Sequence, residues 1–217
     1  MRTSTRAIVS VAAAALAAAS LTACGGSSTA TPAAKASAKP AAVVPALSGK
    51  DTAVLLDTGF TDALTALKLT PGTVGTATLT DGSLHFPITA GNVTYYTPGT
   101  HSPYVLGDIK HDGSGLSLTS GATKVELTNF DIDPAKSELY GDVSVNGTSA
   151  AKHALIFNLN GRTLTPLQTG ADTTAVLEGT TVHISSIAAD LLNKTFKTDA
   201  VKAGLLVGIA KITVNTK

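Results

Sequence analysis

The sequence predicts a mainly β domain, an antiparallel β-sandwich or a partly closed barrel that carries two short α-helices. Three observations lead there. Runs of four to eight residues alternate apolar side chains with Thr, Ser or charge, the period of a half-buried strand. Clusters of Gly, Asp, Asn and Pro separate these runs at turn-sized intervals. Only two stretches repeat apolar residues at helical spacing.

In chain order, the leader comes first. Arg2 and Arg6 precede an apolar run over Ala7–Leu21. That run falls short of the roughly 20 residues that span a bilayer. A basic start, a short apolar run and small residues after it predict a secretory signal peptide over residues 1–23. The segment "LTAC" (Leu21–Cys24) resembles the lipobox of bacterial lipoproteins. The small side chains of Thr22 and Ala23 fit a narrow peptidase cleft, and the thiol of Cys24 is the nucleophile that accepts lipid. Each buried lipid methylene contributes about 0.8 kcal/mol, so two or more acyl chains anchor stably. The expected partner is therefore the membrane, through a lipid anchor at Cys24, with the domain on the extracellular face of the cell membrane. Cys24 is the only cysteine, so the exported domain has no disulfide and depends on its core.

Residues 24–47 read as a stalk that follows the lipidated cysteine. The stretch is rich in Ala, Ser, Pro and Gly, has no aromatic residue and shows no apolar period. Such a composition buries too little surface to offset ordering entropy. Residues 48–217 then read as one domain, long enough for a real core.

Within the domain, "GFTDALTALKL" (Gly59–Leu69) spaces Phe60, Leu64 and Leu67 as a helix face, stopped by Pro71–Gly72. Val74–Thr80 and Ser83–Ile88 form a predicted hairpin around Asp81–Gly82, residues that tolerate the positive φ of a type I′ turn. Leu84, Phe86 and Ile88 share its inner face, with His85 and Pro87 on the other. Pro87 cannot donate to a ladder, which places that strand at an edge or a bulge. Thr123–Asp133, Ser137–Asn146 and Lys152–Asn160 read as a meander turned by "PAKS" and "NGTS". "SSIAADLLNKTF" (Ser185–Phe196) offers a Ser cap with apolar positions at Ile187, Leu191 and Leu192. Leu205–Asn215 is a closing strand with glycines that let it bend.

Charge and motifs exclude several function classes. Removing Arg2 and Arg6 with the leader takes the formal charge from +1 to about −1, which argues against nucleic acid as a partner. The "GSG" at Gly113–Gly115 is not a nucleophile elbow. The histidines at 85, 101, 111, 153 and 183 lack the tight spacing of a zinc site, and His153 and His183 sit in alternating runs. Asp residues beside Gly or Pro read as turn formers, not calcium ligands. No catalytic or metal-binding residue is assigned.

The segment Thr94–Leu116 stands apart. It holds three of four tyrosines and two of five histidines in a chain that lacks tryptophan. Tyr95 and Tyr96 end a strand and face opposite ways. Thr97–Pro103 is a loop that contains His101; Tyr104 opens "YVLGDIKH", which runs into a turn at "HDGSG" with His111. Two readings stand. Either the tyrosines pack one end of the core and the histidines decorate loops, or Tyr95, Tyr96, His101, Tyr104 and His111 converge on a ligand at a strand end.

"YVLGDIKHDGSGLSL", "VELTNFDID" and "ELYGDVSVNG" resemble the HtaA-type haem-uptake domain of actinobacterial surface proteins, and "VHISSIAADLLNKTF" resembles its last helical stretch. The resemblance implies an all-β envelope domain. It also implies haem ligation by a tyrosine near the domain's start, supported by the histidine of the His-Asp-Gly turn, which matches His111. Gly59–Leu69 carries no tyrosine, so the axial phenol is missing there. The reading is a lipid-anchored envelope binding or structural module that is not an enzyme and needs no cofactor. Haem or another small ligand is the alternative, and an envelope partner or small molecule of unspecified identity completes the expected partners. A hydrolase assembled from distant residues is the second alternative.

Overall fold

The computed structural model describes residues 38–216. The signal peptide, Cys24 and the stalk up to residue 37 lie outside the described residues. The strands are β1 (Ala42–Val44), β2 (Asp51–Leu56), β3 (Thr70–Gly75), β4 (Thr78–Thr80), β5 (Ser83–Pro87), β6 (Ala90–Tyr95) and β7 (Val105–Ser120). They continue with β8 (Thr123–Asp133), β9 (Glu138–Val145), β10 (Thr148–Asn160), β11 (Gln168–Thr169), β12 (Thr174–Ile184) and β13 (Leu206–Asn215). Helix α1 (Thr58–Ala66) follows β2, and α2 (Ser186–Phe196) follows β12.

All thirteen strands belong to one sheet, in the order β1-β6-β7-β8-β9-β10-β12-β13-β2-β5-β4, with β3 added along β7 and β11 along β12. Every pairing is antiparallel. One sheet makes this a partly closed barrel and not a two-sheet sandwich. A sheet of this width buries its apolar face by curling. The curl brings β2 against β7, although five strands separate them along the ladder from β8 to β13. His111 on β7 meets Thr52 on β2 at 2.8 Å across the interior. A chain of edge-to-face rings crosses the same core, with Phe86–Phe130 at 5.2 Å and Phe130–Phe157 at 6.2 Å.

Alternation put the right side chains inside. Leu84, Phe86 and Ile88 are buried, as are Val125, Leu127, Leu139 and Val143. The Asp81–Gly82 hairpin forms with φ of +50° and +75°, and pairs Thr80 with Ser83. Pro87 lies beyond the stretch of β5 that β4 covers, so no ladder bond is lost on that side. Asp57 caps α1 by accepting from Gly59 N at 2.9 Å, and Ser185 caps α2 by accepting from Ala188 N at 3.0 Å.

Several expectations are corrected. The stalk does not run to Leu47: Ala42–Val44 pairs with β6 and Leu47 is buried. Two valines in a β-compatible run find an open edge, which outweighs the polar, Pro-rich composition before them. Helix α1 stops at Ala66, and Pro71–Gly72 lie in β3 on the edge of β7. The strand expected over Val74–Thr80 is broken: β3 ends at Gly75 and pairs β7, while β4 pairs β5. "HDGSG" is no loop between strands. It is a bulge inside the 16-residue β7, between the His111 and Gly115 pairings with β8. In α2 the buried face is Ala188, Ala189 and Leu192, while Ile187 is exposed. Strands β1 and β2 had no counterpart among the expected elements, and β12 was legible only near His183.

Candidate functional site

One end of the half-barrel encloses a cavity of about 500 Å³. Its walls are mostly aliphatic, from β1, β6, β7, β8, β10, β12 and β13, with a cover from the segment after β10 that includes Leu164 and Leu167. Several wall residues arrive through the two-residue period of their strand: Val93 and Tyr95 share a face of β6, and Val105 and Ile109 share a face of β7. The volume falls within the range of about 300–1,000 Å³ typical of small-molecule sites. No Asp, Glu or Lys lines it, and Arg162 is its single charged residue.

The five residues singled out in the sequence divide into three groups. Tyr95 and Tyr104 both line the cavity and meet edge-to-face at 6.3 Å and 90°. Burial, and then the neighbouring Tyr95, push the Tyr104 phenol above its ordinary pKa, so it stays protonated. Its hydroxyl lies 3.4 Å from the Gly161 carbonyl, long for an O–H···O bond. Tyr96 and His101 stack on each other at 4.1 Å and 14°, outside the cavity lining. His101 donates from Nδ1 to the Pro103 carbonyl at 2.6 Å, so this pair fixes the loop.

His111 is elsewhere again. It is 1% exposed and belongs to the core. Nδ1 donates to the Phe130 carbonyl at 3.2 Å, so Nε2 accepts from the Thr52 hydroxyl at 2.8 Å. Burial lowers its pKa to about 4, against the weaker raising effects of the Phe130 carbonyl, Asp112 and Asp51. The adjoining space is about 40 Å³ and apolar, separated from the large cavity by side chains common to both, Ile132, Leu159, Thr180 and Ile212. The convergence of all five residues on one ligand is therefore corrected. Strand β7, not a loop, carries His111: it pairs with Phe130 just before the bulge, and the same alternation that buries Ile109 turns the imidazole into the interior.

The other histidines have partners of a structural kind. His85 pairs with Asp51 at 2.5 Å on the outer side of β5 and β2. His153 stacks on Tyr140 at 4.6 Å. His183 bridges the Gly204 carbonyl and Thr181. Ser114, in the "GSG" bulge, donates to the His111 carbonyl and not to an imidazole. Among the described residues no group of three or more His, Cys, Asp or Glu converges to hold a metal ion, and no helix is long and apolar enough to cross a membrane.

Sequence reasoning missed Arg162. A signal was present: it is the only arginine beyond Arg6. Arg162 is an exposed residue, belongs to the cavity lining and has no ion pair among the described residues. Its backbone N–H donates to Asn160 Oδ1 at 3.0 Å.

Neither a family model nor a curated protein matches this chain. Solved structures do match its fold. The C-terminal domain of HtaA from Corynebacterium glutamicum superimposes with a TM-score of 0.54 at 16% identity, over 79% of this chain and 98% of that one. A domain-swapped dimer of a variant of the same domain gives 0.47 at 17% identity, over 72% and 90%. The haem-binding protein HtaB from the same organism gives 0.47 at 8% identity, over 81% and 96%. The first of these establishes the fold: the folded region is an HtaA-like β domain.

Proposed function

From an HtaA-like fold as the premise, we propose that this protein is a lipid-anchored envelope module that binds an apolar small molecule in the 500 Å³ cavity and catalyses no reaction. The cavity carries the reading. Residues from seven strands leave a space that apolar residues would fill if packing were their only role. Water gains little there, because the wall offers few polar partners. An apolar ligand gains the burial that the walls themselves forgo.

The haem arrangement that the resemblance implies does not fit these residues. His111 is fully buried with both ring nitrogens engaged, and its partner is the aliphatic hydroxyl of Thr52 where a phenol is needed. The 40 Å³ beside it admits no porphyrin. In the larger cavity the raised pKa of Tyr104 disfavours the tyrosinate that iron would require.

Two titrations of the full chain check this reading. Haem should give no specific Soret shift. The neutral apolar probe N-phenyl-1-naphthylamine should gain fluorescence, and Ala175→Phe, which narrows the cavity, should remove that gain. A Soret shift abolished by His111→Ala would reverse the conclusion in favour of haem.

Anchoring at Cys24 supports the same role, since an extracellular ligand is met at the membrane. Cys24→Ser should shift the protein from the lipidated membrane fraction to an unprocessed or released form. Unchanged processing and fractionation would contradict the anchor.

A further inference from the structure

We propose that the cavity's ligand is an acyl-chain carboxylate, with its tail inside the half-barrel and its head paired by Arg162. This rests on the cavity being the binding site. The shape and the charge of the site each narrow the class.

The tail follows from the wall. Val44, Val93, Ile109, Ile132, Ile212 and Val214 come from five strands and leave no acid or amine in the lining. At roughly 30 Å³ per water-sized group, the space holds on the order of 16 such groups. A long saturated chain matches that content and needs no polar partner along its length.

The head follows from the one charge. Arg162 is the sole arginine beyond Arg6, lines the cavity, is exposed and has no acidic partner among the described residues. Carboxylates nearby in the fold are already matched: Asp131 and Asp108 with Lys110, and Asp133 with Lys136. A planar guanidinium matches a carboxylate with two parallel hydrogen bonds. Neighbouring donors agree with a single negative charge. The Tyr104 phenol stays protonated and only weakly engaged, and Asn160 belongs to the same lining. One cation flanked by neutral donors suits a monoanion, whereas phosphate is usually met by a cluster of cations.

The test uses the full chain in phosphatidylcholine nanodiscs, with empty discs as the blank. Bound N-phenyl-1-naphthylamine is displaced either by palmitate or by hexadecanol, which shares the tail and lacks the charge. Palmitate should displace at about tenfold lower concentration than the alcohol, and the gap should shrink in high salt, because Arg162 is exposed. Arg162→Gln, compared against its own probe-binding curve, should lose the preference; Arg162→Lys should keep part of it. Equal displacement by both compounds, or a preference that survives in Arg162→Gln, overturns the proposal and leaves the binding reading standing. A probe that never binds removes both. Probe binding seen only in Cys24→Ser would give the cavity to the anchor's own acyl chain and overturn the proposal.

Discussion

Replacing His111 by alanine should cost about 4 kcal/mol of stability, the sum of a cavity and two orphaned polar groups. The ring is 1% exposed and sits edge-on to Phe86 at 6.5 Å. Its loss leaves the Thr52 hydroxyl and the Phe130 carbonyl without their partner in the core. The bond to Thr52 also fastens β2 to β7, so the curl of the sheet is weakened along with the packing. The same residue sets an acid sensitivity. Burial lowers the folded pKa to about 4, while the unfolded chain keeps the ordinary value of about 6.5. The unfolded state therefore binds the proton first. No penalty exists above pH 6.5, it accumulates as pH falls, and it levels off below pH 4 at about 3 kcal/mol. Urea denaturation followed by circular dichroism at pH 7 and pH 4.5 reads both effects. In His111→Ala this residue's share of the loss between those pH values should vanish. An unchanged midpoint at pH 7, or an acid response identical to the parent's, would refute the assignment.

Gly75→Ala should be at least as damaging, by about 3 kcal/mol or more, because it drives backbone into backbone. Gly75 has φ of +61°, and an added Cβ would stand 1.9 Å from the Gly113 carbonyl oxygen. The obstacle is the main chain of β7, which has no rotamer to change. At this point the chain leaves the edge of β7 and crosses to the edge of β5. Gly99→Ala is the matched control. Gly99 also has a positive φ, +86°, but nothing lies within 4 Å of its added Cβ. It should lose only about 1 kcal/mol from backbone strain. Denaturation midpoints of the two variants separate strain from collision. Equal losses would show that the approach to Gly113 does not matter.

The candidate site was legible in parts, and the parts have a pattern. Tyr95 and Tyr104 line the cavity, and their segment drew attention because it gathers scarce rings. Tyr96 was separable from Tyr95 by the strand period alone. His101 and His111 were not placed, because a loop stack, and the continuation of β7 through "HDGSG" as paired strand, are set by what packs against them. Arg162 carried a usable signal as the only arginine beyond Arg6, yet a lone charge after a strand looks like any solvated turn.

For the fold, local alternation was enough to place Leu84, Phe86, Val125, Leu127 and Val143 inside, and the Asp81–Gly82 turn needed only its own φ preferences. These depend on neighbours in the chain, which a sequence displays. The break at Gly75, the β1 pairing and the bulge at "HDGSG" depend on strands distant in sequence. A short run of valines or a glycine says nothing about which edge lies beside it. The cavity is the extreme case: it is a volume left over when seven strands close on one another. Sequence alone determined that this chain folds as a curved, mainly β domain. Only the tertiary structure decided that the curl buries His111 and leaves Arg162 beside an open apolar space, because burial is a property of the assembled sheet and not of any one strand.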